Sequence, residues 1–295
     1  VQESFRSGYV SIVGRPNVGK STLLNVLLGQ KIAIVSARPQ TTRNRILGIK
    51  NLEKAQIIFI DTPGIHTPKN LLGQAMVRSA REVMEEIDLL ILVTAADGLL
   101  KQDRALIGYL GKIEKPVFLV INKVDLVRPH ELLPAIDAYR KLFPFREIIP
   151  VSALKGKGMD FLLEKICSCL PEGPKYYPDE IVTDQIERFM AAEIIREKIM
   201  EKTAEEVPYA VAVEVLNWDE REDGLVSIGA NIYVEREGQK GIIIGKKGKM
   251  LKAIGTLARR DIERLLGTRV FLQLWVKVKK GWRDDKKVLN ELGYR

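Results

Sequence analysis

An apolar run, Tyr9–Val13, leads straight into Gly14-Arg15-Pro16-Asn17-Val18-Gly19-Lys20-Ser21, and Thr22 opens a leucine-rich stretch that reads as a helix to about residue 29. A strand, a loop of the form G-x-x-x-x-G-K-S and a helix, in that order, constrain the first half of the chain more than any other feature. Glycines let successive backbone N–H groups close around phosphate oxygens, and the helix N-terminus adds its positive end. Residues Gly14–Thr22 are therefore expected to bind nucleotide phosphates. Lys20 is placed to reach the β- and γ-phosphates, and Ser21 to hold Mg²⁺.

Further short runs, Gln56–Ile60, Leu89–Thr94, Val117–Ile121 and Ile148–Val151, are almost wholly apolar. Such strands are buried on both faces of a mainly parallel sheet. Helical patterns at about 69–87, 101–112, 131–142 and 159–170 alternate with them. The expectation is a doubly wound α/β domain over residues 1–170. An edge strand is expected after the loop at residues 30–46.

The ends of these strands carry further chemistry. Gln56–Ile60 runs into Asp61-Thr62-Pro63-Gly64, where a carboxylate can serve Mg²⁺ and the N–H of Gly64 can touch a γ-phosphate. Val117–Ile121 runs into Asn122-Lys123-Val124-Asp125. Asp125 can accept from guanine N1–H and the exocyclic amine, which adenine lacks. Asn122 can tie this loop to the phosphate loop, and the Lys123 stem can lie over the base. Ser152-Ala153-Leu154 follows the next strand, and the N–H of Ala153 can donate to guanine O6. A site built on such bonds discriminates strongly, because the wrong base leaves buried polar groups unpaired. With these elements in order, the first half looks like a P-loop GTPase of the translation-factor-related class.

That resemblance carries further expectations. A threonine in Gln40-Thr41-Thr42-Arg43 can add its hydroxyl to Mg²⁺ when the γ-phosphate is present. Thr42 is favoured by its place before the arginine, with Thr41 left open. Lys20, Thr42 and Gly64 are the candidate catalytic groups, and Ser21, Thr42 and Asp61 the candidate metal set. Ras-like proteins carry a water-orienting glutamine after the D-x-x-G element, where this chain has Ile65. Isoleucine cannot orient water, so intrinsic hydrolysis is expected to be slow, or the water is placed by backbone or by another group. Asn17 implies, by resemblance, K⁺ at the phosphate loop. His66 reads as a surface histidine.

The rest of the chain is organised differently. Pro171–Pro178 holds three prolines and a glycine, so residues 171–182 read as a linker. From Thr183 the pattern is helix (to Lys202), strand (Tyr209–Leu216), polar loop (Asn217–Gly224), strand (Val226–Val234), short helix, long helix (about 249–267), strand (Arg269–Lys277) and a basic tail. Between the last two helices lies Gly241-Ile242-Ile243-Ile244-Gly245-Lys246-Lys247-Gly248. A G-x-x-G in an α-β-β-α-α-β order resembles an α+β KH domain of the second topological type, here residues 183–295. Such a loop passes the backbone of about four nucleotides. Gly241, Ile243, Ile244, Gly245, Lys246, Lys247, Gly248, Lys249, Lys279 and Lys280 are the candidate RNA contacts. Arg259, Arg260 and Arg283 are second-tier contacts, and Trp282 can stack on a base or cover the core. Charge agrees with this division. Lys+Arg minus Asp+Glu is 24 − 16 = +8 over residues 1–170, 7 − 17 = −10 over 171–238, and 16 − 5 = +11 over 239–295. A basic concentration of this kind is the electrostatic footprint of a polyanion site.

P-N-V-G-K-S, Q-T-T-R, D-T-P-G and N-K-V-D, joined by a short linker to a KH module, resemble the Era family of bacterial GTPases over essentially the whole chain. The resemblance implies a GTPase that assists assembly of the 30S ribosomal subunit. It implies a KH domain binding near the 3′ end of 16S ribosomal RNA, with GTP state gating that binding. It also implies peripheral contact with the inner membrane. No DNA partner is expected. Two other readings compete: an RNA chaperone with incidental turnover, and a GTPase of tRNA modification, whose members usually carry other appended domains. With two Cys, two His and no apolar run of 18 residues, disulfide stapling, zinc clusters and a spanning helix are poor readings, and a cytoplasmic location is expected. Cys167 and Cys169 point to different helix faces, and Asp219–Asp223 reads as a solvated hairpin loop.

Overall fold

A computed structural model describes residues 4–36, 38, 41–63, 68, 70–83, 86–111, 113–183 and 187–294. Contacts divide the chain into two compact units. The first takes in most of the chain up to residue 184; the second begins at 185, with residues 36–41 and 69–72 grouped with it.

In the first half strands and helices alternate: β1 (Arg6–Val13), α1 (Lys20–Leu28), β2 (Ile46–Asn51), β3 (Ala55–Asp61), α2 (Leu71–Val83), β4 (Leu89–Ala95), α3 (Lys101–Leu110), β5 (Val117–Asn122), α4 (Pro129–Arg140), β6 (Glu147–Pro150) and α5 (Met159–Cys169). The sheet order is β2-β3-β1-β4-β5-β6. All neighbours are parallel except β2 and β3. Every residue of β3, β4 and β5 is buried, as parallel strands covered on both faces require. β3, β4 and β5 are one or two residues longer than their apolar runs. β3 and β5 continue through Asp61 and Asn122, so these polar side chains stand on the sheet's rim in strand geometry. α1, β3 and β5 thus bring their terminal residues to one edge, outside the carboxyl ends of the parallel strands.

Residues 171–183 are packed chain rather than a free tether. The N–H of Gly173 donates to Phe5 O (3.0 Å), those of Tyr176 and Tyr177 to Gln56 Oε1 (2.7 and 3.0 Å), and that of Ile49 to Val182 O (2.9 Å).

The second unit runs α6 (Glu187–Lys202), α7 (Val207–Ala210), β7 (Ala212–Glu220), β8 (Val226–Val234), α8 (Glu237–Ile244), α9 (Lys249–Leu266), β9 (Val270–Val278) and α10 (Lys286–Glu291). Its sheet is β7-β8-β9, with β7 antiparallel and β9 parallel to β8. Ile194, Ile195 and Ile199 of α6, Ile254, Ala258 and Ile262 of α9, and Ile228, Ala230 and Ile232 of β8 form its core. Three expectations need correction. The stretch from Tyr209 is not strand at its start: Val207–Ala210 is a helical turn, and β7 begins at Ala212. The polar loop is shorter than expected, because β7 continues to Glu220, so Asp219 and Glu220 end a strand. The basic tail is folded. Trp282 is fully buried, its indole N–H donates to Ala210 O (2.9 Å), and Asp285 caps α10 by accepting from Lys287 and Val288 N–H (2.9 and 3.2 Å).

Candidate nucleotide and RNA sites

The phosphate loop joins β1 to α1. Gly14 (φ 156°) and Gly19 (φ 97°) lie where side chains do not fit: a Cβ would meet Val93 O at 2.2 Å and Asn122 Nδ2 at 2.4 Å respectively. Between them Pro16 is half-buried, Val18 buried and Asn17 exposed, with Asn17 at φ 66°. Lys20 Nζ donates to Gly14 O and Arg15 O, both at 3.0 Å. Burial, reinforced by the Arg15 charge and opposed by Asp61, brings the Lys20 ammonium down to about 8. A buried ammonium held over a loop of backbone N–H groups is primed for an anion.

Beside it the three candidate metal residues converge. Ser21 Oγ lies 3.1 Å from both Thr42 Oγ1 and Asp61 Oδ2, and Thr42 Oγ1 donates to Asp61 Oδ2 at 3.0 Å. The edge of an octahedron with oxygens at 2.0–2.1 Å from its centre is about 2.9 Å, so this spacing suits Mg²⁺. Asp61 is fully buried, and its Oδ1 has no hydrogen-bond partner among the described residues. Burial pushes its carboxyl above the usual carboxylate range, against the pull of Lys20, Thr42 and Ser21. Three oxygen donors, one a buried carboxylate, make a set that fits a hard cation. Thr41 points elsewhere: its hydroxyl donates to Arg38 O at 2.7 Å, and its carbonyl accepts from Arg196. Thr62 Oγ1 donates to Ile12 O (3.1 Å) and Pro63 is buried, so the start of the D-x-x-G element is pinned to β1. Gly64, Ile65 and His66 lie outside the described residues.

The base-reading loops are braced against the phosphate loop. Asn122 Nδ2 donates to Val18 O (2.8 Å), and Lys123 Nζ to Asn17 O (2.6 Å), with Lys123 itself at φ 63°. Ser152 Oγ donates to Asp125 Oδ1 (2.5 Å), and that bond holds the carboxyl below its usual range. The N–H of Ala153, expected to serve guanine O6, instead donates to Asn122 Oδ1 at 3.0 Å, while Leu154 beside it is exposed. Two groups had no sequence signal. Asn25 clamps the chain after α1 by accepting from Ile32 and Ala33 N–H (3.0 and 2.9 Å). Asp97 and Asp103 pair with Arg15, whose side chain turns away from the loop's mouth toward α3.

In the second unit, Gly245-Lys246-Lys247-Gly248 forms the turn between α8 and α9. Gly245 N–H donates to Gly241 O (2.8 Å), closing α8, and Lys246, Lys247 and Lys249 are exposed. Gly245 has φ 69°, and a Cβ there would meet Met250 Cβ at 2.6 Å. Ile243 is a core residue and Ile244 is partly buried against the same core, whereas Ile242, which sequence reasoning passed over, is 49% exposed. Lys280, Arg259 and Arg260 are exposed. Lys279 Nζ is 3.3 Å from Glu291 Oε2 and lies over the Tyr233 ring, and Arg283 pairs with Glu235. Trp282, sealed in the core, offers no face to a base.

Comparison with known proteins finds relatives for both halves of the chain. Residues 9–123 match a family described as 50S ribosome-binding GTPase, and residues 206–283 match the KH domain family. GTPase Era of Geobacter metallireducens is 58% identical, over 98% of each chain. GTPase Era of Ruminiclostridium cellulolyticum is 53% identical, over 99% of this chain and 98% of its own. Among solved structures, Era in complex with MgGDPNP and nucleotides 1506–1542 of 16S ribosomal RNA superposes with TM-score 0.95 and 45% identity, over 98% of this chain and 99% of the other. A variant of Aquifex aeolicus Era bound to GDP·AlF4⁻ superposes equally well, with the same identity and coverage. Relatives more than half identical over nearly the whole of both chains, with a GTPase model on the first half and a KH model on the second, establish that the protein belongs to the GTPase Era family.

Proposed function

We propose that this chain is a Mg²⁺-dependent GTPase whose KH domain binds 16S ribosomal RNA near its 3′ end, and that it acts in assembly of the 30S subunit. The observation that carries the nucleotide half is the convergence of Ser21, Thr42 and Asp61 beside Lys20 at the mouth of a glycine loop. Ser21, Thr42 and Asp61 would hold the ion, which when bound neutralises charge between the β- and γ-phosphates. Lys20 exchanges its two backbone carbonyls for phosphate oxygens. Gly64 offers its N–H to the γ-phosphate. Asp125 reads the guanine edge, with Ser152 orienting the carboxylate.

Ile65 cannot position water, so the attacking water is set by backbone or by another group. K⁺ beside Asn17 belongs to the proposal in a different role: the Asn17 side chain is exposed on the loop, and a cation there would supply positive charge where others use an arginine finger. The RNA half is supported by the exposed Lys246, Lys247 and Lys249 around a G-x-x-G turn, and by the 16S fragment that an Era structure holds. No helix among the described residues is long and apolar enough to cross a membrane. Peripheral contact of the basic surface with anionic lipid belongs to the proposal and is tested by sedimentation with phosphatidylglycerol vesicles.

The deciding experiment is single-turnover GTP hydrolysis with and without RNA from the 3′ end of small-subunit ribosomal RNA. Acceleration is expected. Tight RNA binding without acceleration would favour a KH module that works independently of turnover.

A further inference from the structure

The phosphate loop is held from behind at three points. Two come from the base-reading strand: Asn122 on Val18 O and Lys123 on Asn17 O. The third runs through Arg15, a position at which the G-x-x-x-x-G-K-S pattern specifies no residue. The Arg15 side chain is only 10% exposed, wedged between Asp97, two residues beyond β4, and Asp103 on α3. Its Nη2 pairs with Asp97 Oδ1, and its Nε lies 3.4 Å from Asp103 Oδ1. Asp103 is fully buried, and its other oxygen accepts from Leu100 N–H at 3.0 Å, so the first turn of α3 fixes the carboxylate. From the other side, Pro16 restricts the Arg15 backbone to extended geometry.

As a source of stability this arrangement is poor. Arg15 Nε and Asp103 Oδ1 are both buried, and neither completes a hydrogen bond. Removing such charges from water offsets most of their attraction. What the arrangement does fix is position. The carbonyls of Gly14 and Arg15 flank the peptide that the strap holds, and both accept from Lys20 Nζ. Moving that peptide moves the ammonium and the N–H groups that follow it.

We propose that Arg15 is a positioning residue for the nucleotide phosphates: anchored by Asp97 and Asp103, it sets the loop backbone that locates Lys20, without touching the nucleotide. The turn after β4 and the start of α3 thereby become part of the nucleotide site. The inference rests on reading Gly14–Ser21 as the phosphate cradle.

The test uses the full chain with Asp97→Ala and Arg15→Lys. Asp97 is half-exposed, so its loss leaves the fold intact; lysine at position 15 keeps the charge but lacks the two-armed fork. Affinity for GDP and for a non-hydrolysable GTP analogue is measured at a temperature where circular dichroism shows each variant folded. Both variants should weaken binding about tenfold or more, by analogy with the loss of an outer-shell partner at a metal site. KM for GTP should rise while kcat stays within about twofold, because the strap serves ground and transition states alike. Wild-type affinity in either variant, or a lowered melting temperature with unchanged KM, overturns the proposal. Failure of the unmodified protein to bind GDP would instead remove the phosphate-cradle reading itself.

Discussion

Lys20 shows how one residue's surroundings set what it can bind. Its folded value of about 8 lies below the 10.5 of an ordinary lysine, chiefly through burial. In the nucleotide-free protein the unfolded chain therefore binds more protons between these values. The Lys20 contribution to stability rises with pH across that window, and its penalty is fully present below about 8. Phosphate binding reverses the preference, because the anion needs the ammonium. From pH 7 to pH 9, GDP affinity should fall about tenfold, with close to one proton taken up per GDP at the upper pH. Calorimetry in two buffers of different ionisation enthalpy counts that proton; no uptake would mean that Lys20 is charged throughout. Asp125 gives a second prediction. An Asp125→Asn variant presents an amide where guanine offers two donors, and should move preference toward xanthine nucleotides, read by competition between GDP and XDP. Undiminished guanine selectivity would remove Asp125 from the base-reading role. Residues such as Lys20, Ser21 and Asp125 stand out in the sequence because few side chains suit the chemistry expected at those spacings. Asp97 and Asp103 are not, because nothing in a linear pattern says that Arg15 turns toward α3.

At the scale of elements, the two glycines of the KH turn differ in what they do. Both have positive φ, but a Cβ at Gly245 runs into Met250, whereas at Gly248 it meets open space. Gly248→Ala should cost only the conformational strain, roughly 1 kcal/mol. Gly245→Ala should cost more and should loosen the α8–α9 junction, seen as a larger drop in melting temperature and in RNA affinity. Equal effects would mean that the turn relaxes freely around position 245. The exposed Lys246 and Lys247 act through charge, so replacing both by alanine should lower the slope of log affinity against log salt by about 1.4, at about 0.7 per phosphate on single-stranded RNA. An unchanged slope would place the phosphates elsewhere. The elements themselves were legible wherever burial is two-sided: β3, β4 and β5 are built on almost wholly apolar runs and lie where those runs lie. β7 was misplaced for the opposite reason. It is an edge strand, with Leu216, Asn217, Asp219 and Glu220 exposed, so its polar half reads as loop. The alternation of Tyr209, Val211 and Val213 hid the helical turn that Pro208 helps to open. The C-terminal segment reads as a basic tail because its anchors, Trp282, Val288, Leu289 and Tyr294, are few and widely spaced.

For the whole molecule, the question is whether the nucleotide and RNA sites share free energy. Each has its own scaffold: a parallel sheet with a phosphate loop, and a three-stranded sheet with a G-x-x-G turn. Two binding sites on one chain do not make a switch, since a ligand with equal affinity for both states of a protein shifts nothing. Coupling, where it exists, is reciprocal. If exchanging GDP for a GTP analogue tightens RNA binding by some factor, RNA must favour the GTP analogue over GDP by the same factor. Typical couplings of about 1–3 kcal/mol correspond to about 5- to 150-fold. The expectation is therefore two matching ratios, both well above one. One comes from RNA titrations at saturating GDP and GTP analogue, the other from nucleotide titrations with and without RNA. The Asp125→Asn variant serves as a control, because with XDP and an XTP analogue it should reproduce both ratios if the base loop reads identity only. Ratios of one in both directions would leave a GTPase and an RNA-binding module that share a chain and nothing more. Unequal ratios would require a further bound species, and repeating the titrations with Na⁺ in place of K⁺ would test the cation proposed beside Asn17.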